Sequence, residues 1–180
     1  MEIRLPHRFQ DLRLRQMQAY MQADNDADRI AALADVPAST VRELPHNLYD
    51  RVQKQVANVM GNETSRFERV LMLDGKEYGI IPDWGEFTLG EWIDTEELVQ
   101  DLWPNAHKLM ALLYRPITNR VGERYDIERY TGKENDKIFG EVTADIFTGL
   151  MLFFWTSNKT RELILQRSSM EAEEVVKEPS

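Results

Sequence analysis

The side chains that most often carry out catalysis or bind metals are sparse in this sequence and poorly spaced for either task. The three histidines, His7, His46 and His107, are far apart, and the His-Glu-x-x-His pattern of zinc enzymes is absent. The lack of cysteine excludes disulfides, thiolate metal sites and a cysteine nucleophile. Gly-x-Ser-x-Gly, the phosphate-binding Gly-Lys-Ser/Thr loop and the dinucleotide-binding glycine pattern are also missing. The sequence therefore predicts a protein with no catalytic residue, no metal and no cofactor.

Two acidic clusters come closest to a metal-binding pattern. Residues 24–28 carry three aspartates, as the start of a calcium loop does, but Arg29 stands where such a loop requires glycine. The second cluster covers residues 94–97. Because carboxylates are favoured in the first turn of a helix, both clusters are interpreted as solvated helix starts.

The net charge of −9 limits the kinds of partner. Residues 1–60 carry eight acidic and eight basic side chains, so residues 61–180 hold the whole acidic excess. Binding along a nucleic-acid backbone needs clustered Lys and Arg, which argues against a nucleic-acid partner. The first residues lack the apolar stretch of a signal peptide, and no apolar run approaches the roughly 20 residues that span a membrane. We therefore expect a cytoplasmic protein with no membrane partner.

Hydrophobic periodicity predicts a mainly α-helical fold with one inserted β-hairpin over about residues 67–82. The hairpin is expected because strand-like runs flank Asp74-Gly75, a favoured pair for a tight turn. Thr88 and Glu91 have the spacing of a capping box at the start of a helix. Residues 117–137 are polar and predict an excursion between helices. Helices are expected where apolar residues recur three or four apart, in residues 9–21, 30–34, 37–44, 48–60, 89–102, 104–115, 142–155 and 159–166.

A chain of 180 residues fits one domain or two small ones. Charge balance and periodicity both change near residue 62, which suggests a boundary there. We therefore expect an N-terminal helical region over residues 1–62, a region of hairpin and helices over 63–170, and a flexible, charged tail over 171–180.

Residues 30–41 resemble the helix-turn-helix of lac-repressor-type regulators. In that motif an Ala-containing helix leads through a turn into a Ser/Thr-Val recognition helix, matched here by Ser39-Thr40-Val41. Asp35 stands where the motif usually has glycine, Arg42 is the one cation of the second helix, and Pro45 cuts that helix short. A helical hairpin that packs for stability is favoured, and a DNA-binding regulator stays an alternative.

The four tryptophans are the residues best suited to binding another protein. Trp84, Trp92 and Trp103 lie within twenty residues of one another, and Trp155 follows much later. Tryptophan buries a large area and is enriched where binding energy is concentrated. A place in the core is favoured for Trp92 and Trp155, whereas Trp84 and Trp103 flank breaks in structure and fit either role equally well.

Two stretches together resemble phage tail assembly chaperones. The first is the hairpin of residues 29–44 followed by Tyr49-Asp50-Arg51-Val52. The second comprises residues 78–84 and 87–94, then Leu113-Tyr114-Arg115-Pro116-Ile117, then residues 125–132 and the apolar block at 149–155. The resemblance covers residues 9–160, and its motifs are structural, so it carries no catalytic residues.

The resemblance implies a bacteriophage assembly factor that acts in the host cytoplasm. Such a chaperone binds the long, apolar-rich tape measure protein and keeps it soluble until tail tube subunits replace it. The residues expected to bind this partner are Trp84, Trp92, Trp103, Tyr114 and Arg115. The oligomeric state stays open, and a structural subunit of the virion neck, tail or baseplate is the first alternative.

Overall fold

The computed structural model describes residues 3–157, a range that contains seven α-helices and one four-stranded sheet. The helices are α1 (Leu14–Gln22), α2 (Asp26–Ala34), α3 (Ala38–Arg42), α4 (His46–Gly61), α5 (Leu89–Gln100), α6 (Leu102–Leu113) and α7, which begins at residue 144 and is described to residue 157. The strands are β1 (Val70–Leu73), β2 (Lys76–Ile80), β3 (Tyr114–Val121) and β4 (Arg124–Ile127). The predicted mainly α class is confirmed in its coarse form, since the described residues are mainly helical and carry one sheet. The helix predicted over 159–166 and the tail over 171–180 lie outside the described residues.

The sheet is antiparallel throughout, in the order β1-β2-β3-β4. Asp74 and Gly75 join β1 to β2 with φ values of 49° and 74°, the positive values that a tight turn of this kind needs. Gly122, with a φ of 62°, lies in the turn between β3 and β4. The prediction of one inserted hairpin over residues 67–82 therefore underestimates the extent of the sheet, because β1 and β2 are only two of its four strands.

Strands β3 and β4 were the part of the sheet that periodicity did not predict. Residues 117–137, expected as an excursion, contain most of β3 and all of β4. The register of these two strands shifts between Ile117 and Asn119, and such an irregularity breaks the alternation that marks a strand in the sequence. In addition, β3 begins at Tyr114 directly after α6, so the apolar pattern of the helix continues into the strand.

Two clusters of buried apolar side chains form the core between the helices and the sheet. The larger cluster lies between the sheet, α6 and α7, and the smaller one lies among α1, α2 and α4. The clusters are interlocked, since Leu14 of α1 belongs to the larger one, Ala144 of α7 belongs to the smaller one, and Trp103 packs against both. The proposed division at residue 62 stays a prediction.

A polar contact also joins α1 to α6. Gln18 is buried, and its Nε2 donates to the carbonyl oxygen of Trp103 at 2.7 Å and lies 2.8 Å from Nδ1 of His107. The other ring nitrogen of His107 lies 3.6 Å from a carboxylate oxygen of Asp136. Burial lowers the pKa of His107, and the charge of Asp136 opposes this shift. A neutral imidazole whose Nδ1 accepts is the form that fits the Gln18 amide.

The contact between α7 and the segment before β1 depends on a glycine. A Cβ on Gly149 would lie 2.3 Å from the carbonyl carbon and oxygen of Arg66, which are backbone atoms and cannot move aside cheaply. Replacing Gly149 with Ala should therefore lower the free energy of unfolding by about 1–3 kcal/mol or more. Urea denaturation followed by circular dichroism measures this. The matched control is Gly61→Ala at the end of α4, where a Cβ meets nothing within 4 Å. At Gly61, helix propensity predicts that Ala raises the free energy of unfolding by up to about 1 kcal/mol. An increase in both variants would contradict the close contact between Gly149 and Arg66.

The burial of His107 predicts a pH dependence of stability. Its pKa in the folded protein lies below the ordinary value of 6.5, so the unfolded chain binds the proton more readily. The stability contribution of the neutral ring is therefore complete above 6.5 and is lost as pH falls through the folded pKa. Between about pH 7 and 5, wild type should lose stability relative to His107→Gln in urea titrations. His46→Gln, at an exposed position, serves as the control, and it should keep the wild-type slope.

Candidate partner-binding surface

Helix α5 packs Leu98 and Val99 against the core, but its first half exposes three apolar side chains and buries Glu91, which is unusual for a surface helix. Glu91 and Thr95 are each 3% exposed, whereas Leu89 is 74% exposed and Ile93 is 52% exposed. Trp92 is 38% exposed and lies on the same side, because positions three and four apart share a helix face. We call Leu89, Trp92 and Ile93 the α5 stripe.

The polar face of α5 is held down by Glu91. One carboxylate oxygen pairs with Nη1 of Arg115 on β3 at 2.8 Å. The other accepts hydrogen bonds from the backbone N–H and the hydroxyl of Thr88, both at 2.7 Å. The hydroxyl oxygen of Thr88 accepts in return from the N–H of Glu91 at 3.2 Å, which completes the capping box predicted from the sequence. A single side chain therefore fixes both where α5 begins and which face it turns inward.

Arg115 and Tyr114 are inside the fold and are not on its surface. The Arg115 side chain is 8% exposed, and its Nε is buried with no hydrogen-bond partner among the described residues. Tyr114 is 1% exposed, its hydroxyl donates to the carbonyl oxygen of Glu68, and burial raises its pKa well above the ordinary range. The expectation that these two side chains contact a partner is therefore corrected: Tyr114 fills the core and Arg115 positions α5.

A series of aromatic rings connects the α5 stripe to α7. Successive ring centroids are 5.6–6.2 Å apart, within the range of favourable aromatic pairs, in the order Trp92, Phe87, Trp84, Phe154 and Trp155. We call these five rings the aromatic run. At its far end Trp155 and Leu152 of α7 are 55% and 56% exposed. The preference for a core position is therefore wrong for both Trp92 and Trp155, while Trp84 is a half-buried link between the two exposed ends.

Trp103 belongs to a different part of the molecule. Its ring lies 5.6 Å from that of Phe147, and it packs against both core clusters. Of the five residues expected to bind a partner, the structure places Trp92 on an exposed surface, and Trp84 is half-buried and separated from it by Phe87. Sequence reasoning missed Leu89 and Ile93, because their spacing is that of a helix face packed in a core.

The segment that resembles a helix-turn-helix forms a hairpin with paired charges. Asp35 takes the left-handed conformation, with φ 55° and ψ 45°, where the motif usually has glycine. Helix α3 has five residues, and Arg42 at its end lies 3.6 Å from Asp28. Arg29 is in turn 3.5 Å from Asp26. The arginines of the hairpin thus face aspartates, and the segment offers no basic surface for a phosphate backbone.

No metal site or membrane-spanning helix is found in the part of the chain that the structure describes. Within residues 3–157, His, Asp and Glu side chains do not form a group of three or more that could hold a metal ion. In the same range, every helix is too short or too polar to cross a bilayer. Comparisons with protein-family models, with curated proteins and with solved structures gave no match. Function is therefore inferred from the geometry of the chain itself.

The buried pair of Glu91 and Arg115 gives a test of how α5 is held. Glu91→Gln should lower the free energy of unfolding by about 3–5 kcal/mol, because it leaves the Arg115 charge buried without a counter-charge. Urea denaturation measures the difference. The control is Glu77→Gln, which breaks the exposed pair of Glu77 and Arg120 on the same sheet and should cost under about 1 kcal/mol. Similar small losses in both variants would show that the buried pair does not anchor the helix.

Proposed function

We propose that this protein is a non-enzymatic tail assembly chaperone of a tailed bacteriophage, which binds the tape measure protein during tail morphogenesis. The exposed α5 stripe carries the proposal. Full burial of an exposed Leu or Ile side chain is worth roughly 1.5–3 kcal/mol, and a large part of this is forgone at Leu89 and Ile93, which are 74% and 52% exposed. Clustered apolar exposure of this kind marks protein-binding surfaces. The resemblance to tail assembly chaperones in the sequence supports the same partner.

The surface has the properties that a long, apolar-rich client requires. The α5 stripe places two exposed aliphatic side chains beside an indole, and the partly buried aromatic run supports it from behind. Because Glu91 and Arg115 fix the orientation of α5, the stripe is presented without rearrangement, which lowers the entropic cost of binding. The net charge of −9 favours solubility of the resulting complex.

Co-expression with the tape measure protein of the same phage tests the proposal. Wild type should keep that protein in the soluble fraction and co-purify with it. Leu89→Glu should reduce recovery by about tenfold or more, because a carboxylate replaces a buried contact in the complex. The matched control is Val121→Glu, since Val121 is also 74% exposed but lies at the end of β3.

Three outcomes would count against the proposal. Wild type that recovers no tape measure protein would overturn the function. If Leu89→Glu and Val121→Glu reduced recovery of the tape measure protein equally, the α5 stripe would not be the binding surface. Abundant peptides of this chain in purified particles, measured by mass spectrometry, would indicate a structural subunit of the virion in place of a chaperone.

A further inference from the structure

We infer that the segment of the partner that docks on the α5 stripe is a basic amphipathic helix. The inference rests on the proposed function of the α5 stripe as a binding surface and names the chemistry of what binds there. Two independent features of the molecule lead to it, namely the distribution of charge around the stripe and the spacing of its apolar side chains.

The stretch of chain that carries the α5 stripe is strongly acidic, although Arg129 and Lys108 from neighbouring segments also lie beside α5. Residues 77–107 contain no Lys or Arg but include eight carboxylates. Two of these carboxylates are paired, Glu77 with Arg120 and Glu91 with Arg115. The remaining six make no ion pair with any described residue, and they are Asp83, Glu86, Asp94, Glu96, Glu97 and Asp101. An apolar surface flanked by carboxylates without an ion pair is complementary to a partner with Lys or Arg beside its own apolar side chains.

The carboxylates of α5 border the stripe directly. Glu96 is exposed and lies seven positions after Leu89 and three after Ile93, which puts it on the same face as the stripe. Glu97 follows Ile93 by four positions and is also exposed. A bound helix whose apolar side chains cover the stripe would therefore bring its flanking residues within reach of both carboxylates.

A cavity beside α5 adds a place for a cationic side chain. Its volume is about 350 Å³, and its lining includes Asp94 and Glu97 of α5 together with Glu134 and Asp136. Lys108 is the one cation in the lining of this cavity, so the carboxylates outnumber it. Asp94 also accepts a hydrogen bond at 2.6 Å from the hydroxyl of Tyr130, which holds that carboxylate in place.

The spacing of the stripe favours a helix as the bound element. Leu89, Trp92 and Ile93 present the i, i+3, i+4 pattern into which the ridge of a second helix packs. The twelve residues of α5 extend for about 18 Å, which accommodates some three turns of a partner helix. A second copy of this chain docked through the same stripe would bring unpaired carboxylates against one another, so the charge argues for a different protein.

Two synthetic helical peptides of about 18 residues, with identical Leu/Ala faces and either Lys or Glu on the polar face, test the inference. Binding is measured by fluorescence anisotropy of the labelled peptide with the full chain. The Lys peptide should bind about tenfold or more tightly than the Glu peptide. Its affinity should fall as NaCl is raised from about 0.05 to 0.5 M, because salt screens exposed charges. Equal affinities, or an affinity that salt leaves unchanged, would overturn the inference.

Charge-reversal variants test whether the Lys peptide binds at the α5 stripe. Glu96→Lys should weaken binding of the Lys peptide several-fold, whereas Glu123→Lys, an equal charge change in the exposed turn between β3 and β4, should leave it unchanged. Leu89→Ser, which removes apolar area from the stripe without changing its charge, should weaken binding of the Lys peptide several-fold. Equal effects of Glu96→Lys and Glu123→Lys would show that only net charge matters, which would overturn the assignment to the stripe. A wild-type dimer that Leu89→Glu dissociates in sedimentation velocity would identify a second copy as the occupant.

The inference of a basic helical partner and the proposed function can each fail independently of the other. If the Lys peptide binds but the tape measure protein is not recovered, the chemistry of the surface stands and the proposed client is wrong. If the tape measure protein is recovered but the peptides show no preference for charge, the client stands and the inference fails.

Discussion

The orientation of the surface described here depends on one buried ion pair. Glu91 and Arg115 are both almost fully buried, and breaking the pair would leave a charge without a counter-charge in a poorly solvated place. The helix must therefore keep Glu91 inward, which turns Leu89 and Ile93 to solvent. Rotated by half a turn, α5 would bury Leu89 and Ile93 but would turn Leu98 away from the core against which it packs. The ion pair and this packing together favour the arrangement that leaves Leu89 and Ile93 free for another molecule.

Structural features formed by residues close together in the sequence could be predicted, whereas features that depend on residues distant in the sequence could not. The turn at Asp74-Gly75 and the capping box of Thr88 and Glu91 are each contained within a few residues, so their spacing is sufficient. The second half of the sheet is different. Strand β3 follows α6 without a break in apolar pattern, and the irregularity after Ile117 hides its alternation. Where a helix ends in a strand with no polar loop between them, periodicity alone cannot place the boundary.

The candidate site divides in the same way. Trp92 was recognisable by its type, and the acidic excess beyond residue 60 was visible as composition. The exposure of Leu89 and Ile93 was not, because it is decided by Arg115, which lies on a strand after the next helix. Tyr114 and Arg115 entered through resemblance, and they lie behind the surface in the structure. The helical hairpin of α2 and α3 shows a similar limit, since Asp35 adopts the conformation for which glycine was expected.

Helix α6 passes directly into β3, which restricts where residues can be inserted into the chain. No loop separates Leu113 from Tyr114, so an inserted residue at this point has nowhere to be absorbed. Because side chains alternate along a strand, a shift of one position would turn Arg115 to the opposite face of the sheet, away from Glu91. The turn at Gly122 carries no such restriction. Length changes should therefore be tolerated at the tip of β3 and β4 but not at the base of β3, where one extra residue would separate Arg115 from Glu91.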